Sequence, residues 1–372
     1  MAAKMQKLMK KETKFEDIPL DITKKSPIVS EIEEKLRRNI IGQDEAITKI
    51  VEGIYCLSSG LKNSEKPILT MMFLGPTGTG KTESVKVLAE TLLGNRNAFT
   101  RINCQELSES HTVAKLFGSP PGYVGNEIEP LLSQEKLDRF CEEAWVKDKG
   151  IFSFNIKNLK NMVNPEDDKN LSIVLFDEIE KAHHSIWTAL LSILDDGHII
   201  LSNNEVVDMT RSIIIMTSNV GSRELTSKIE SNTIGFHIEQ NTDKDLDNMA
   251  IDEMKRLFPP EFCNRFDVVV PFKLLNEEAI KEICYIQFRQ LRSEMKKAGI
   301  YIDILIHKDV VDFLISKGFN KLYGARELVR TIKMYLINNI SKLISNEEIK
   351  NGDTIMVYLE GEDITFSKQV IQ

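Results

Sequence analysis

The sequence has no pair of cysteines at C-x-x-C spacing, no H-E-x-x-H and no carboxylate cluster at metal-ligand spacing, so neither a disulfide framework nor a structural metal is expected. Its five cysteines, Cys56, Cys104, Cys141, Cys263 and Cys284, form an odd, scattered set that suits buried thiols in a reducing compartment. No apolar run approaches the ~18 residues that a membrane span needs. The basic start MAAKMQKLMKKETKFED is not followed by the apolar stretch of a secretory leader. A cytoplasmic protein without membrane contact is expected. Positive charge is outnumbered: 48 Lys and Arg against 56 Asp and Glu leave a net charge of -8, which argues against a sequence-independent grip on nucleic acid.

What remains is an ordinary globular composition, 42% apolar and 28% charged over 372 residues, enough for two or three domains. Residues 1–28 are lysine-rich and polar and read as a flexible lead-in or linker. From Val29 to Leu61 apolar residues recur at helical spacing, broken at Ile40-Ile41-Gly42. Strand-length apolar runs occupy Leu69 to Leu74, Ser172 to Phe176, Ser212 to Thr217 and Val268 to Phe272, and Glu83 to Leu93 is helical in pattern. Strands alternating with helices predict a parallel sheet covered on both faces. Beyond Lys273 the character changes to long helical patterns, Glu277 to Lys297 and Arg326 to Ile344, with short strands at Tyr301 to Ile306 and Thr354 to Leu359. The expected division is a large α/β domain over 29–272 and a smaller, mainly helical domain over 273–372. Residues 126–170 fit poorly; only Gln134 to Trp145 reads as ordered helix, and the remainder as an exposed insert.

The most informative segment is GPTGTGKT, residues Gly75, Pro76, Thr77, Gly78, Thr79, Gly80, Lys81 and Thr82, set between an apolar strand and a helix. Phosphate oxygens demand many N–H donors at close range, and glycines at 75, 78 and 80 let the backbone wrap them while the helix N-terminus adds its dipole. Lys81 would reach the β- and γ-phosphates of ATP, and the Thr82 hydroxyl would hold Mg2+. The partner motif is IVLFDEIEKAH. Asp177 follows four apolar residues and would hold magnesium through its water shell; Glu178 would polarise the attacking water as general base. A third polar residue should orient that water, and the run SIIIMTSN ends at Asn219.

Taken together these segments resemble the last ATPase module of the Clp-type AAA+ protein unfoldases, over roughly residues 35 to 360. IIGQDEA, with Ile40 and Ile41, resembles that family's adenine-pocket motif, GYVG its pore loop and TSN its first sensor. PEFCNRFD resembles its arginine-finger segment and YGARELVR its second sensor. The resemblance implies a parallel five-stranded sheet flanked by helices plus a small helical domain with a short sheet. It implies an ATPase in which Arg265 serves the neighbouring copy's nucleotide, Arg326 reaches the nucleotide from the small domain, and Tyr123 with Val124 presses on a polypeptide in the channel. A site that borrows Arg265 from the next copy requires a ring, and the family's rings are hexamers.

Within the family, a branch similar to ClpA and ClpC docks on the ClpP peptidase through a short apolar tripeptide after the first sensor, whereas a branch similar to ClpB lacks it. Ile234, Gly235 and Phe236, in an otherwise hydrophilic stretch, resemble that tripeptide. The expected function is an ATP-dependent unfoldase ring acting on protein substrates, with a ClpP-like peptidase as partner. A remodelling or disaggregating chaperone without a protease, and less favourably a nucleic-acid motor, stand as alternatives. The family's usual N-terminal domain and earlier ATPase module have no counterpart in this sequence, which reads equally as a one-module protein or a fragment.

Overall fold

The computed structural model describes residues 21, 25–59, 65–119, 122, 127–147, 171–221, 243–320 and 324–369. Its first seven strands are β1 (Leu69–Leu74), β2 (Thr100–Asn103), β3 (Ser172–Asp177), β4 (His198–Ile200), β5 (Val206–Asp208), β6 (Ser212–Ser218) and β7 (Val268–Pro271). Apart from the hairpin β4–β5 they form one parallel sheet in the order β2-β3-β6-β1-β7. The three inner strands read SIVLFD, SIIIMTS and LTMMFL, and every residue in them is buried. Strands covered on both faces have no solvent side to mark with polar residues, so they appear in sequence as continuous apolar runs.

Side chains still alternate between the faces. Met71 and Phe73 of β1 join the core formed with the helices Pro27–Asn39, Asp44–Ser59 and Lys81–Leu93. Met72 and Leu74 join the opposite core, with the helix His184–Asp196 and the aromatic pair Phe258 and Phe262. The break expected at Ile40-Ile41-Gly42 falls between the first two helices. Ser26 caps the first of them by accepting a hydrogen bond from the Val29 amide at 3.2 Å, and Pro27 opens it, where its missing N–H costs nothing.

A third core gathers residues between Leu275 and Phe366 with Ile41 packed against it. Here β8 (Asp303–Ile306), β9 (Thr354–Glu360) and β10 (Asp363–Gln369) form a sheet in the order β10-β9-β8, parallel between β8 and β9 and antiparallel between β9 and β10. The helices Glu277–Lys297 and Lys308–Gly318 pack on it. The helical pattern Arg326 to Ile344 appears as Ala325–Ile332 and Asn338–Ser345 joined by a single π turn at Lys333–Ile337. The fold is therefore the one expected, a helix-flanked parallel five-stranded sheet followed by a largely helical part with a short sheet. Cys104, Cys263 and Cys284 are free, buried thiols; burial pushes all three up, Cys284 to about 12. No helix among the described residues is long and apolar enough to cross a membrane.

Phe73 is fully buried, its ring 5.2 Å from that of Phe272, directly below the strand end that carries the glycine loop. Phe73→Ala should lower the free energy of unfolding by about 3–5 kcal/mol, seen as a lower urea midpoint at unchanged slope. A loss below about 1 kcal/mol would contradict close packing on this face.

Candidate active site

Parallel pairing sets the ends of three strands level. Leu74 of β1 lies opposite Ser218 of β6, and Phe176 of β3 opposite Met216. The next residues of each strand, Gly75, Asp177 with Glu178, and Asn219, therefore emerge at the carboxyl edge of the sheet, where open α/β folds place their ligands.

Gly75 donates its amide to the Ser218 carbonyl at 3.2 Å and has φ +133; a Cβ there would lie 2.4 Å from the Phe272 carbonyl oxygen, so no other residue fits. The Thr79 hydroxyl donates to the Pro76 carbonyl at 2.9 Å, and the helix Lys81–Leu93 begins directly behind the loop, its unpaired N-terminal amides aimed at it. Lys81 is only 7% exposed. Its ammonium donates to the carbonyls of Gly75 at 2.5 Å and Pro76 at 2.8 Å and to Asn219 Oδ1 at 3.0 Å. Burial pushes it down to about 8, against the opposing pull of Glu180, Asp177 and Glu178 and with a smaller push from Arg326.

Asp177 is also covered. Its Oδ1 accepts from the Thr217 hydroxyl at 2.6 Å, and its Oδ2 from Arg101 Nη2 at 2.5 Å. Glu178 adopts the left-handed conformation at φ 59, ψ 54, a strained choice for a residue with a side chain. It is held by its amide, which donates to Thr217 Oγ1 at 3.0 Å. Thr217 thus gives its proton to one carboxylate and receives one from the next residue. The Glu178 carboxylate accepts from Asn219 Nδ2 at 3.1 Å, from Lys181 Nζ at 2.5 Å and from Gln105. Desolvation, the largest single influence, pushes Glu178 up, but these donors together outweigh it and hold the group below the usual carboxylate range. Three donors keep the carboxylate ionised and fix its direction, while the same downward shift weakens it as a base.

Asn219 ties the cluster together. Besides Lys81 and Glu178 it meets the Thr77 hydroxyl at 3.4 Å, and its amide donates to Glu180 Oε1 at 3.1 Å. The other oxygen of Glu180 is buried without a hydrogen-bond partner among the described residues.

The C-terminal part closes over the loop. The Ala325 amide donates to the Gly78 carbonyl at 3.0 Å, and Gly324, at φ +55, sits so close that a Cβ would lie 2.5 Å from the same oxygen. Gln43 bridges both sides: its Nε2 donates to the carbonyls of Thr79 at 3.1 Å and Lys273 at 2.8 Å, while its Oε1 accepts from the Lys273 amide at 2.9 Å. Ile40 is buried beside Gly80, Ile41 half-buried against the C-terminal core, and Thr82 half-buried in the first helical turn. Arg326 is exposed. Arg265 stands apart. Its carbonyl accepts from Thr70 at the start of β1, at the far end of the strand from Gly75 and roughly 15 Å away at ~3.3 Å per residue. Its guanidinium pairs with Asp195 of the same chain, Nε to Oδ1 2.9 Å, at an angle that makes no hydrogen bond. Tyr123 and Val124 lie outside the described residues, as do Ile234, Gly235 and Phe236.

Sequence reasoning missed Arg101, Gln105, Lys181, Glu180 and the bridging role of Thr217. Lys181 and Glu180 belong to the quoted run DEIEKAH and were within reach. Arg101 lies on β2, whose four residues TRIN include a single buried one and give no periodic signal, and Gln105 lies in the short helical turn Cys104–Leu107 just after it. Thr217→Val keeps the shape and removes both bridging bonds, leaving a buried carboxylate short of a donor. Urea unfolding should show a loss of about 1–3 kcal/mol; parent-like stability would contradict the bridge.

Comparison with known proteins places this geometry in context. The model of the AAA domain (Cdc48 subfamily) matches residues 66–140 and 154–269, and that of the C-terminal, D2-small domain of ClpB protein matches residues 275–357. The chain is 36% identical over 335 residues to the chaperone protein ClpB of Bdellovibrio bacteriovorus, covering 90% of this chain and 34% of that protein. It is 33% identical over 343 residues to a ClpA homolog, an ATP-dependent Clp protease ATP-binding subunit, of Cyanidium caldarium, covering 91% of this chain and 36% of that protein. The ClpC subunit of Staphylococcus aureus is 33% identical over 335 residues, with 90% and 37% covered. Among solved structures, a closed-state cryo-electron microscopy reconstruction of Hsp104 with ATPγS and FITC casein superposes with a TM-score of 0.69 at 28% identity, covering 91% of this chain and 51% of that one. The Saccharomyces cerevisiae Hsp104–ADP complex gives 0.68 at 30% identity, with 90% and 51% covered. The chain spans about a third of the length of these curated relatives. With more than half of its residues matched by the AAA model and residues 275–357 by the ClpB small-domain model, the chain belongs to the AAA family, in its Clp-type branch.

Proposed function

We propose that this chain is an ATP-hydrolysing module that works in a ring of identical copies, a hexamer, and uses hydrolysis to thread and unfold protein substrates. One observation carries the reading: Lys81, Asn219, Asp177 and Glu178, drawn from three neighbouring strands, converge beside a glycine loop that opens a helix. The loop Gly75 to Thr82 wraps the phosphates, and the base rests between Ile40, Ile41 and the C-terminal part. Lys81 exchanges the carbonyls of Gly75 and Pro76 for phosphate oxygens, which relieves its desolvation. Glu178, held with Asn219, takes the proton of the attacking water.

The donor set suits magnesium. Among the described residues no group of three or more His, Cys, Asp or Glu side chains is arranged to hold a metal by itself. Thr82 and Asp177 offer hard oxygen ligands, the partial set that a cation shared with phosphate requires. When bound, Mg2+ neutralises phosphate charge. Arg265, too far from its own loop to serve it, is assigned to the neighbouring copy's nucleotide, where a guanidinium stabilises the charge of phosphoryl transfer. Residues 29–272 and 273–372 act as two domains that close on the nucleotide through Gly78 and Arg326. In the ring, Tyr123 and Val124 grip the substrate.

The named relatives include both a chaperone and ATP-binding subunits of Clp protease, so the module suits either a disaggregase or the partner of a ClpP-like peptidase. Ile234, Gly235 and Phe236 favour the peptidase partner: two apolar residues around a glycine in a hydrophilic stretch form a plug for an apolar pocket. No membrane or nucleic acid is involved in this reading.

Glu178→Gln should bind a fluorescent ATP analogue like the parent while phosphate release falls by about 10²–10⁴. Tyr123→Ala should keep ATPase activity but lose unfolding of a tagged model substrate. Hydrolysis by the first variant within tenfold of the parent would refute the assigned base, and unfolding by the second at the parent rate would refute threading.

A further inference from the structure

Asp177 closes β3 in nearly complete burial, at 8% exposure, and a carboxylate so placed must be met by donors. Thr217 serves one oxygen. The other faces Arg101, whose Nη2 and Nε lie 2.5 Å and 3.1 Å from Oδ2. The register delivers this pair: β2 runs parallel to β3 with Asn103 opposite Asp177, which sets Arg101 two residues back on the same face. The two partners differ sharply in exposure. The Arg101 side chain is 57% exposed and that of Asp177 11%. Among the described residues Arg101 makes no other ion pair. The carboxylate is therefore fixed from within by Thr217, while the guanidinium approaches from solvent on a long, flexible stem and can leave once another cation takes its place at Oδ2.

Asp177 is the carboxylate that the ATPase reading assigns to magnesium. A hydrated dication and a guanidinium make the same demand on Oδ2, negative charge and lone pairs, and the oxygen already receives two N–H bonds from Arg101. We propose that Arg101 is a displaceable counter-ion of the nucleotide-free site: it caps Asp177 Oδ2 until magnesium arrives with the nucleotide, and the two cations compete for that oxygen. Arg101 is a positioning residue in this scheme and touches no reacting atom. Gln105, in the short helical turn Cys104–Leu107 that follows β2, holds Glu178 in the same way.

The proposal rests on the ATPase reading, and the test separates the two. Binding of a fluorescent ATP analogue (mant-ATP) is titrated with Mg2+ for the parent, Arg101→Met and Arg101→Lys, and repeated in EDTA. Met keeps the stem and removes the charge. The half-saturating Mg2+ concentration should fall about two- to fivefold in Arg101→Met, the range expected for loss of one partly exposed ion pair. Arg101→Lys should fall in between, because an ammonium keeps the charge but not the two-nitrogen fork. Affinity in EDTA should not improve in either variant, since Lys keeps the positive charge and the charge lost in Met would have attracted the bare nucleotide. An unchanged or higher Mg2+ requirement in Arg101→Met would overturn the proposal and make Arg101 a strut that orients Asp177. Should Arg101→Met fail to fold by circular dichroism, Arg101→Lys decides: a lowered requirement supports competition, a parent-like one overturns it. Failure of the parent to bind mant-ATP would remove the ATPase reading and this proposal with it, whereas parent binding with an unaltered Mg2+ requirement in the variants removes this proposal alone.

Discussion

A lysine ammonium taken almost wholly out of water governs the architecture of the site. Desolvation drives Lys81 toward the neutral form, and the forces that keep it charged are the carboxylates of Glu180, Asp177 and Glu178. Those groups lie on or just after β3, and the amide that links them to the lysine lies after β6. The arrangement is available only if the three inner strands run parallel and in register, with their carboxyl ends level. The buried apolar runs of β1, β3 and β6 secure that register. A slip of one residue would turn Phe73 and its neighbours to the wrong face and separate the lysine from its counter-charges.

The site is closed from the C-terminal side by backbone. Ala325 reaches Gly78 through a main-chain hydrogen bond, and Gly324 leaves no room for a side chain between the two parts. Gln43 satisfies three further backbone groups across that seam. Contacts of this kind tolerate no insertion and carry no net charge, so the push of Arg326 is what Lys81 feels from the C-terminal part. Any displacement of the loop is felt directly by the C-terminal helices. That linkage is what a module coupling nucleotide state to motion requires.

Much of this was legible in the sequence because the elements that matter are buried on both sides. LTMMFL, SIVLFD and SIIIMTS cannot be mistaken for amphipathic segments, and each is followed by the polar residues that make the site. The helix Glu277–Lys297 was equally plain from its long apolar period. The edge of the sheet was not. In β2 only Ile102 is buried, so four residues with one apolar side chain leave no pattern, and Arg101 and Gln105 were invisible with it. β10 escaped for the same reason: DITFSKQ has no buried residue and, among the described residues, pairs with β9 alone. The chemistry of Thr217 was hidden differently. Its residue type was in view, but its two bonds depend on the β3–β6 register and on the left-handed turn at Glu178, neither of which has a sequence signature.

Arg265 lies at the opposite end of β1 from the glycine loop, and the proposed function assigns it to the nucleotide of a neighbouring copy. The decisive measurement is the ATPase rate of mixtures of Arg265→Ala and Glu178→Gln, each inactive alone. In a ring, a copy with an intact Glu178 that neighbours one with an intact Arg265 completes a site, so mixing should restore a substantial fraction of the parent rate. If every mixture gives only the sum of the two inactive proteins, the shared site is wrong.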